Sequence, residues 1–562
     1  MAKKPTSPGA RFTALTGRAA VKPNIVDRAV TFFNPAAGFK RWRARQMMAL
    51  AGGYEGGARK RRDTAGFNPG GGGPEADLHL DLPALRDRSR DLYRNNPIAR
   101  GAVNEKVSIV VGAGHIVDPQ VNRDALGISV DQAQEWEGLA AQLFRAHAKS
   151  AEIHAGRMMS FAEMEALVLQ STLLSGDMLV FDRFIERPGA IFASCMQLVE
   201  GDRLANPFGQ MDSDDISGGV KRDKDGAPVQ YHVLRRHPGE YRRSGGATEG
   251  DWFDAFSKDG RRRVHHLYFH KRPGQVRGEP FLAPVIAALK QLDRYSEAEL
   301  FAAVVNSCFA VKVKTESGEG LDLPAPPSSS AAAGDDREIS LTEPGMIVDL
   351  ATDEDITGFT PGRPSATFEP FFRAIVSQLA VALDTTEEVL MRSFKASYSA
   401  SRGALEVAYR FAHSYEAWLV ARFCQPVYEA VISEAVARGR LAAPGFFSDP
   451  FIRAAWLNAG WTGPARLSLN PKAESEADKL DLEMGITDKY RLAAKRGNLF
   501  DNVAENRAKS QRFEESLGLN PAPAPQQNQP AAPDDEDDGG DDDAEDESDD
   551  ESDDDSEDEN DS

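Results

Sequence analysis

The sequence has few cysteines, no long apolar run and no recognisable targeting segment. Its three cysteines are widely spaced within apolar patterns, which predicts buried, reduced thiols: Cys195, Cys308 and Cys424. No stretch approaches the roughly 20 apolar residues that span a bilayer, and the first residues lack a continuous apolar signal core. We therefore expect a protein of cytosol-like, reducing conditions that has no membrane partner.

Motifs that carry catalysis or bind cofactors are also missing. The sequence contains no phosphate-binding loop, no dinucleotide glycine pattern, no HExxH, GxSxG or SxxK motif and no paired cysteines. His265, His266 and His270 fall on two faces of a predicted strand, which argues against a shared metal ion. We therefore predict no catalytic residue, no cofactor and no metal, and we favour a structural or interaction role over an enzyme.

Acidic charge is concentrated at one end of the chain. Residues 534–562 hold 21 Asp or Glu and no Lys or Arg, and removing these from the 87 acidic residues leaves 66, which equals the number of Lys and Arg. The body of the protein is therefore neutral overall. Residues 1–66 carry 14 Lys or Arg against three acids, a basic arm that either anchors on acidic protein or nucleic acid or is an ordinary solvated segment.

The strongest periodic signal lies between residues 368 and 439. A helix over about 368–383 carries one apolar stripe, formed by Phe371, Phe372, Ile375, Leu379 and Leu383. Thr385 with Glu388 matches a capping box that restarts a short helix. A second long helix is expected to start near Ser399 or Ser401, after a polar break. Pro426 predicts a kink in it, because proline lacks the N–H that bonds back one turn.

The rest of the chain predicts an α+β fold. Helices are expected at about 82–94, 131–148 and 160–175, a strand at 107–111, and short strands with turns over 191–269, including a hairpin at Asp225-Gly226. A helix from about 281 to 310 would run about 45 Å. It leads to a strand, a low-complexity stretch at 315–338 and a second strand at 346–350 before the chain returns along the helix that starts at 368.

The order of short motifs along residues 54–518 resembles that of the lambda-like phage portal proteins. The pieces that carry the resemblance are residues 54–58, LRDRSRDLYRNNPIARGAV at 85–103, VVGAG at 110–114, SGD at 175–177, LVEGDRLANP at 198–207, GGVKRDKDGAPVQYHV at 218–233, RGEPFLAPVIAALKQLDRYSEAEL at 277–300, LTEPG at 341–345, SYSASRGA at 397–404 and FCQPVYEAV at 423–431. Each piece is weakly specific, whereas their order and spacing together are specific.

Portal proteins of this kind form a ring, usually of twelve subunits, at one vertex of a tailed phage head, and DNA enters and leaves through the ring. The resemblance implies an α+β portal fold with a wing, a two-helix stem, a small strand-containing clip, a long kinked helix, a mainly helical crown and a disordered acidic C-terminal tail. The implied segments are the basic N-terminal arm and linker at 1–75, the wing at 76–280, the stem helices at 281–310 and 366–386, the clip at 311–365, the tunnel loop at 387–402, the long kinked helix of the wing at 403–439, the crown at 440–520 and the tail at 521–562.

The resemblance makes the polar break of the central segment a tunnel loop that faces DNA. Its expected DNA-facing side chains are Arg392, Lys395, Ser397, Tyr398, Ser399 and Arg402. A channel through which DNA moves should carry only a small number of cations. Duplex DNA has one negative charge per about 1.7 Å of axis, so a strongly basic lumen would bind it and slow its passage. Such contacts reach phosphates without reading bases. The alternative is a surface loop with ordinary charges at a helix start.

The implied partners are the other subunits of the ring, double-stranded DNA without sequence specificity, the large terminase subunit, the major capsid or scaffold protein, and head-completion or tail proteins. The implied location is the portal vertex of the virion, and the host cytoplasm during assembly. The acidic tail either repels packaged DNA, binds basic capsid or scaffold segments, or only keeps the protein soluble. Two other function classes stay open: a Mg-dependent DNA-processing enzyme that uses scattered carboxylates, and an acidic-tailed assembly chaperone.

Overall fold

A computed structural model describes residues 25–38, 40–41, 67, 69–240, 249–314, 346–350, 368–395, 397–468 and 470–519. Contacts divide the chain into two units, Met1–Leu469 and Asn470–Ser562. The predicted basic arm is described only in part, and the predicted clip only at its two strands. The predicted acidic tail at 521–562 lies outside the described residues.

Helices dominate the first part of the first unit. They are α1 (Ile25–Phe33), α2 (Pro74–Leu78), α3 (Leu82–Asn95), α4 (Pro97–Val110), α5 (Arg123–Leu126), α6 (Val130–Ala148) and α7 (Phe161–Ser175). Side chains cap two of these helices: Asn96 accepts a hydrogen bond from the N–H of Ala99 at 2.8 Å, and Ser160 precedes α7 with a capping box.

The strand predicted at 107–111 is wrong, because residues 107–110 complete α4. Val110 and Val111 are almost completely buried in the main core, where α4 packs against α7. The preference of valine for strands depends on how its side chain packs. Here the valines pack as part of a buried helix face, and this packing decides the conformation.

Three antiparallel sheets belong to the first unit. The strands are β1 (Ile116–Pro119), β2 (Asp177–Phe184), β3 (Ser194–Glu200), β4 (Ile216–Ser217), β5 (Val220–Arg222), β6 (Pro228–Leu234), β7 (Gly250–Asp254) and β8 (Val264–Tyr268), with β11 (Ala459–Thr462) near the end of the unit. Their orders are β3-β2-β8, β4-β5-β6-β7 and β1-β11. The predicted hairpin at Asp225-Gly226 is present, since β5 and β6 pair across it and Gly226 has a φ of 85°.

The central part of the chain contains the two long helices. It comprises α8 (Ile286–Cys308), β9 (Phe309–Lys314), β10 (Met346–Leu350), α9 (Phe368–Ala382), α10 (Glu387–Leu390), α11 (Tyr398–Leu419), a π turn (Val420–Cys424), α12 (Gln425–Ala437) and α13 (Pro450–Leu457). β9 and β10 pair in parallel. Tyr295, in the middle of α8, stacks on Phe368 at the start of α9 with ring centroids 5.5 Å apart.

Two predicted helix starts in this part need correction. The capping box of Thr385 with Glu388 is wrong, because α10 begins after Thr386 and the Thr385 hydroxyl instead donates to Glu105 at 3.3 Å. The second long helix begins at Tyr398, earlier than predicted, and Ser397 caps it by accepting from the N–H of Ala400 at 3.4 Å. Thr385 does not cap because its hydroxyl bonds the distant Glu105, and Ser397 caps α11 in place of Ser399 or Ser401, which are equally suitable by residue type.

One main hydrophobic core joins α4, α6, α7, β2 and α12. Phe161 stacks on Phe423 at 5.6 Å, and Trp136 packs on Trp456 at 5.0 Å. Residues 441–457 add Leu441, Phe446, Trp456 and Leu457 to this core. The segment up to residue 468, the beginning of the predicted crown, thus belongs with the first unit.

The second unit contains α14 (Pro471–Glu483), α15 (Lys489–Lys495) and α16 (Phe500–Ser516). Asp478 accepts from Lys495 at 2.7 Å and from Arg496 at 3.1 Å, which holds α14 to the end of α15. Tyr490 packs against Phe500 at 4.9 Å. Across the described residues of both units, no helix combines the length and apolar character that crossing a bilayer requires.

Candidate functional site

A buried ionic centre lies where four of the short motifs meet. Asp177, at the start of β2, is fully buried and receives Arg86 at 2.5 Å and Arg277 at 2.6 Å. His266 of β8 lies 3.2 Å from the same carboxylate. Burial opposes the charge of Asp177, but the guanidinium groups of Arg277 and Arg86 outweigh it and hold the pKa of the carboxyl well below its usual range.

A second layer of contacts fixes the two arginines. Arg86 donates to the carbonyl of Ser175 at 2.7 Å, and Arg277 donates to the carbonyls of Leu204 at 2.7 Å and Gly201 at 2.6 Å. Arg90 pairs with Asp202 at 2.5 Å. The motifs at 85–103, 175–177, 198–207 and 277–300 are therefore parts of one network, which we call the Asp177 centre.

Close backbone approach explains the glycine of the SGD motif. Gly176 has a φ of 86°, and a Cβ there would lie 2.3 Å from the carbonyl oxygen of Gly278. Any side chain at this position would push the two segments apart. The Asp177 centre is closed to solvent and its charges are paired, so its chemistry suits a scaffold rather than proton transfer.

The turn that follows α9 is attached to α4 and α11 at Asp384. Asp384 has a φ of 49° and follows α9. Its carbonyl accepts from the ammonium of the buried Lys106 at 2.6 Å, and its carboxylate accepts from the hydroxyl of Tyr415 at 2.9 Å. Burial lowers the pKa of Lys106, against the attraction of Glu105 and Asp384. The turn between α9 and α10 is thus tied to α4 and α11.

A small apolar cluster supports the far side of the break. It consists of Val389 on α10 with Leu405 and Ala408 on α11, and Ile109 and Tyr409 pack against it. Arg392 has a φ of 52°, a conformation that few residues other than glycine adopt, and its N–H bonds the carbonyl of Val389 at 3.2 Å. These contacts hold the end of α10 and the start of α11; we call the residues between them, 391–397, of which all but Ala396 are described, the 391–397 loop.

All six predicted DNA-facing residues are exposed: Arg392, Lys395, Ser397, Tyr398, Ser399 and Arg402. Tyr398 and Ser399 lie in the first turn of α11 and Arg402 at the start of its second turn, rather than in the loop. Within the part of the chain that the structure describes, none of the three cations forms an ion pair. The free N–H groups and the positive dipole end of a 22-residue helix add to their charge.

The helix that follows changes its winding before Pro426. The π turn at Val420–Cys424 separates α11 from α12, and Pro426 lies in the first turn of α12. In a regular α-helix the proline ring collides with the carbonyl four residues earlier, and the wider π turn moves that carbonyl away from the ring. The predicted kink at Pro426 stays a prediction, but the departure from α-helical geometry next to it is a finding.

The structure also assembles a group that the sequence does not predict. His115, Glu165 and Cys424 lie far apart in the chain, yet their ligand atoms are within 4.8 Å of one another and all three are buried. Cys195 and Cys424 are buried and free, as predicted. A motif search could not find the group, because its members come from a turn, the middle of α7 and the π turn.

Comparison with known proteins places these features in a family. The sequence model described as "Phage portal protein, lambda family" matches residues 60–415, which is more than half of the chain. The portal protein of Escherichia phage N15 is 22% identical over 499 residues, covering 82% of this chain and 92% of that protein. Portal protein B of Escherichia phage lambda is 21% identical over 499 residues, covering 84% and 91%.

Two solved structures resemble the chain more weakly. A chain in the virion of a native gene transfer agent particle has a TM-score of 0.37 at 16% identity, covering 79% of this chain and 94% of that one. A chain in the neck of the native particle, computed with C12 symmetry, has a TM-score of 0.36 at 15% identity, covering 73% and 91%. At these TM-scores the likeness defines neither the fold nor the subunit number of this chain.

The family match contains both the Asp177 centre and the 391–397 loop, and it runs into α11. The order of motifs, the geometry they build and the match over residues 60–415 agree with one another. The chain belongs to the lambda family of phage portal proteins.

Proposed function

We propose that the chain forms a closed ring at a single vertex of a phage capsid, where it is the channel for DNA packaging and ejection and the docking site for terminase and for head-completion or tail proteins. The observation that carries the proposal is the family match over residues 60–415. The two portal proteins named above align with this chain over 92% and 91% of their own lengths, so the similarity extends to whole proteins. A ring of twelve subunits is part of the proposal.

Exposed apolar side chains on α8 and α9 support assembly with further copies. On α8, Leu300 is 68% exposed and Phe301 is 70% exposed, although Leu289 and Leu292 on the same helix are buried. On α9, Phe371 and Val381 are also exposed. Apolar surface of this kind is typical of helices that pack in an assembly. We assign α8 and α9 to the stem of the ring.

The same assignment gives roles to the flanking segments. Residues 311–365 would form the clip that faces the terminase, and the parallel pair of β9 and β10 would be its described part. The break at the π turn and Pro426 would be the place where the long helix leaves the wing for the crown. Contacts with the major capsid or scaffold protein belong to the same proposal.

The 391–397 loop and the start of α11 are the surface that we assign to DNA. Exposed cations that have no ion-pair partner among the described residues can touch phosphates wherever the duplex presents them, without base contacts. Arg392, Lys395 and Arg402 supply the charge, and Ser397, Tyr398 and Ser399 can donate hydrogen bonds to phosphate oxygens.

Electron microscopy of the purified full-length protein tests the ring. Closed rings with an axial channel are expected. A monomer or an open aggregate under conditions that keep the protein folded would contradict the portal function. Such a result would favour the acidic-tailed chaperone, or, if the protein also cut or modified DNA with Mg²⁺, the DNA-processing enzyme.

A double variant, Arg392→Ala with Lys395→Ala, tests the DNA-facing surface separately. We expect normal rings but altered packaging or retention of DNA in assembled heads. The matched control is Lys221→Ala with Lys224→Ala in the β5–β6 hairpin, which removes the same charge from another exposed turn. Unchanged packaging in the loop variant would reject the assignment of the loop to DNA, but it would not contradict the proposal that the protein forms a ring.

The role of the acidic tail is tested by deleting residues 534–562. If the tail repels packaged DNA or binds basic capsid or scaffold segments, heads of the deletion variant should differ in assembly or DNA content. Raising the salt concentration should weaken the same effect, because charges are screened over about 10 Å at 0.1 M. Normal heads would leave only a solubilising role.

A further inference from the structure

The buried group of His115, Glu165 and Cys424 has the donor atoms of a metal site. The Nδ1 atom of His115 lies 3.3 Å from the Oε1 atom of Glu165, and the Sγ atom of Cys424 lies 3.0 Å from the same oxygen. The side chains of His115 and Glu165 are completely inaccessible to solvent. Imidazole, carboxylate and sulfur are therefore collected at one point in the core.

The imidazole of His115 is buried between two carboxylates, with Nδ1 3.3 Å from Glu165 and Nε2 3.7 Å from Glu416. Neither ring nitrogen forms a hydrogen bond of normal geometry with any described residue. Such atoms are uncommon in protein interiors, because an unsatisfied polar atom loses its hydration without replacement. Its Nδ1 points to the side where Glu165 and Cys424 lie, so a cation between the three would satisfy it.

We propose that His115, Glu165 and Cys424 bind one Zn²⁺ ion per chain through Nδ1, Oε1 and Sγ, with the thiol proton of Cys424 and any proton on Nδ1 released to solvent. Zinc accepts nitrogen, oxygen and sulfur ligands in tetrahedral geometry, whereas Ca²⁺ and Mg²⁺ require oxygen. For the usual metal–ligand distances a tetrahedral site separates nitrogen and oxygen by about 3.4 Å, and sulfur and oxygen by about 3.6 Å. The first distance is already present, and the second requires the sulfur to move by about 0.6 Å.

The surroundings provide the outer contacts that metal ligands need. The second carboxylate oxygen of Glu165 accepts from the backbone N–H of His115 at 3.0 Å, which orients the carboxylate. The Nε2 atom of His115 faces Glu416 of α11 at 3.7 Å. A carboxylate behind a metal-bound imidazole fixes the ring and increases its basicity. Glu416 is thus a positioning residue and not a ligand.

Backbone geometry also favours the site. Gly114, with a φ of 101°, precedes His115, and a Cβ there would lie 2.5 Å from the Cβ of Ala162 on α7. The glycine lets the turn after α4 approach α7 closely enough for His115 to meet Glu165. Zinc would connect this turn, α7 and the π turn, and so hold the long helix where its winding changes.

Zinc content of the purified full-length protein provides the main test. After incubation with Zn²⁺ and exhaustive dialysis, we expect about one zinc per chain by inductively coupled plasma mass spectrometry. His115→Ala and Cys424→Ser should lower this at least tenfold. Cys195→Ser is the matched control, since Cys195 is also buried and free but lies on β3 outside the group. Glu416→Gln should weaken zinc affinity by about 10- to 100-fold.

A second measurement covers variants that fail to fold. Co²⁺ added to the metal-free natural protein should give a thiolate-to-cobalt charge-transfer band, and Zn²⁺ should abolish it by displacement. Absence of the band, or absence of bound zinc after dialysis, would overturn the proposal and leave a buried hydrogen-bonded group only. Equal zinc content in the natural protein and in Cys424→Ser would overturn it as well.

Discussion

The Asp177 centre and the 391–397 loop hold their charges in opposite ways. In the centre, Arg86, Arg277 and Asp177 are buried and each charge meets its partner within 2.6 Å. In the loop and at the start of α11, three cations are exposed, and none has an ion-pair partner among the described residues. Buried pairs lose much stability when one partner is removed, whereas exposed charges contribute little. The charges of the Asp177 centre therefore stabilise the fold, whereas those of the 391–397 loop and the start of α11 are available to a ligand.

The largest effect should come from removing the charge at the middle of the centre. Asp177→Asn leaves two buried guanidinium groups without their carboxylate, and we expect a loss of about 3–5 kcal/mol in the free energy of unfolding, measured by urea denaturation. The control is Asp182→Asn on the same strand. Burial raises the pKa of Asp182 to about 6, so its charge is unfavourable at neutral pH and the variant should be no less stable. Equal losses in both variants would contradict the comparison.

The hydrogen bond between Tyr415 and Asp384, on the turn before α10, should give an intermediate effect. Tyr415→Phe removes the hydroxyl that donates to Asp384, and we expect a loss of about 1–3 kcal/mol together with faster proteolysis within the 391–397 loop. Tyr428→Phe is the matched control, because the hydroxyl of Tyr428 is buried without a hydrogen-bond partner among the described residues. That variant should be neutral or slightly more stable. A loop whose proteolysis is the same in both variants would show that Asp384 does not anchor it.

The pH dependence of stability should separate the two aspartates of β2. The pKa of Asp177 is lowered in the folded state, so its contribution is complete above the unfolded value of about 3.9 and is lost as pH falls below it. The pKa of Asp182 is raised to about 6, so its contribution is lost as pH rises from about 4 to about 6. Unfolding free energies of the two Asn variants, measured from pH 3 to pH 7, should differ from those of the natural protein in these separate windows.

The smallest effect on stability should come from the exposed cations. Arg402→Ala should leave the melting temperature unchanged, as should Lys221→Ala. Binding of double-stranded DNA should respond differently, because each lost phosphate contact reduces the slope of log affinity against log salt by about 0.9. We expect this reduction for Arg402→Ala and not for Lys221→Ala. A lower melting temperature for Arg402→Ala would mean that this cation supports the fold.

The sequence predicts those features that neighbouring residues decide. The helices predicted at about 82–94, 131–148 and 160–175 and the hairpin at Asp225-Gly226 are present, and each is specified by a pattern of residues that lie close together in the chain. The mixed helix and sheet composition and the family follow from the same reasoning. The six candidate DNA-facing side chains are exposed, and their role is a proposal.

Features that depend on distant residues could not be predicted. Thr385 turns to Glu105, 280 residues away, and Arg277 reaches Asp177 over 100 residues. The four motifs of the Asp177 centre are visible in the sequence, but nothing local shows that they meet. The π turn is equally hidden, because it depends on how α11 and α12 both reach the main core. Proline alone predicts only that regular winding stops nearby.

Because β1 pairs with β11, this sheet can form only after most of the chain has been synthesised. The side chain of Asn458 bonds the carbonyl of Gln120 across 338 residues of chain, beside the register that joins the two strands. At about 5–20 residues per second, a ribosome needs roughly 20 to 70 s to make that intervening chain. During this interval β1 exposes an unpaired edge to other nascent chains. On a messenger RNA with several ribosomes, the incomplete chains therefore have β1 without its partner strand. Chaperones that cover such strand edges should increase the yield of assembly-competent protein.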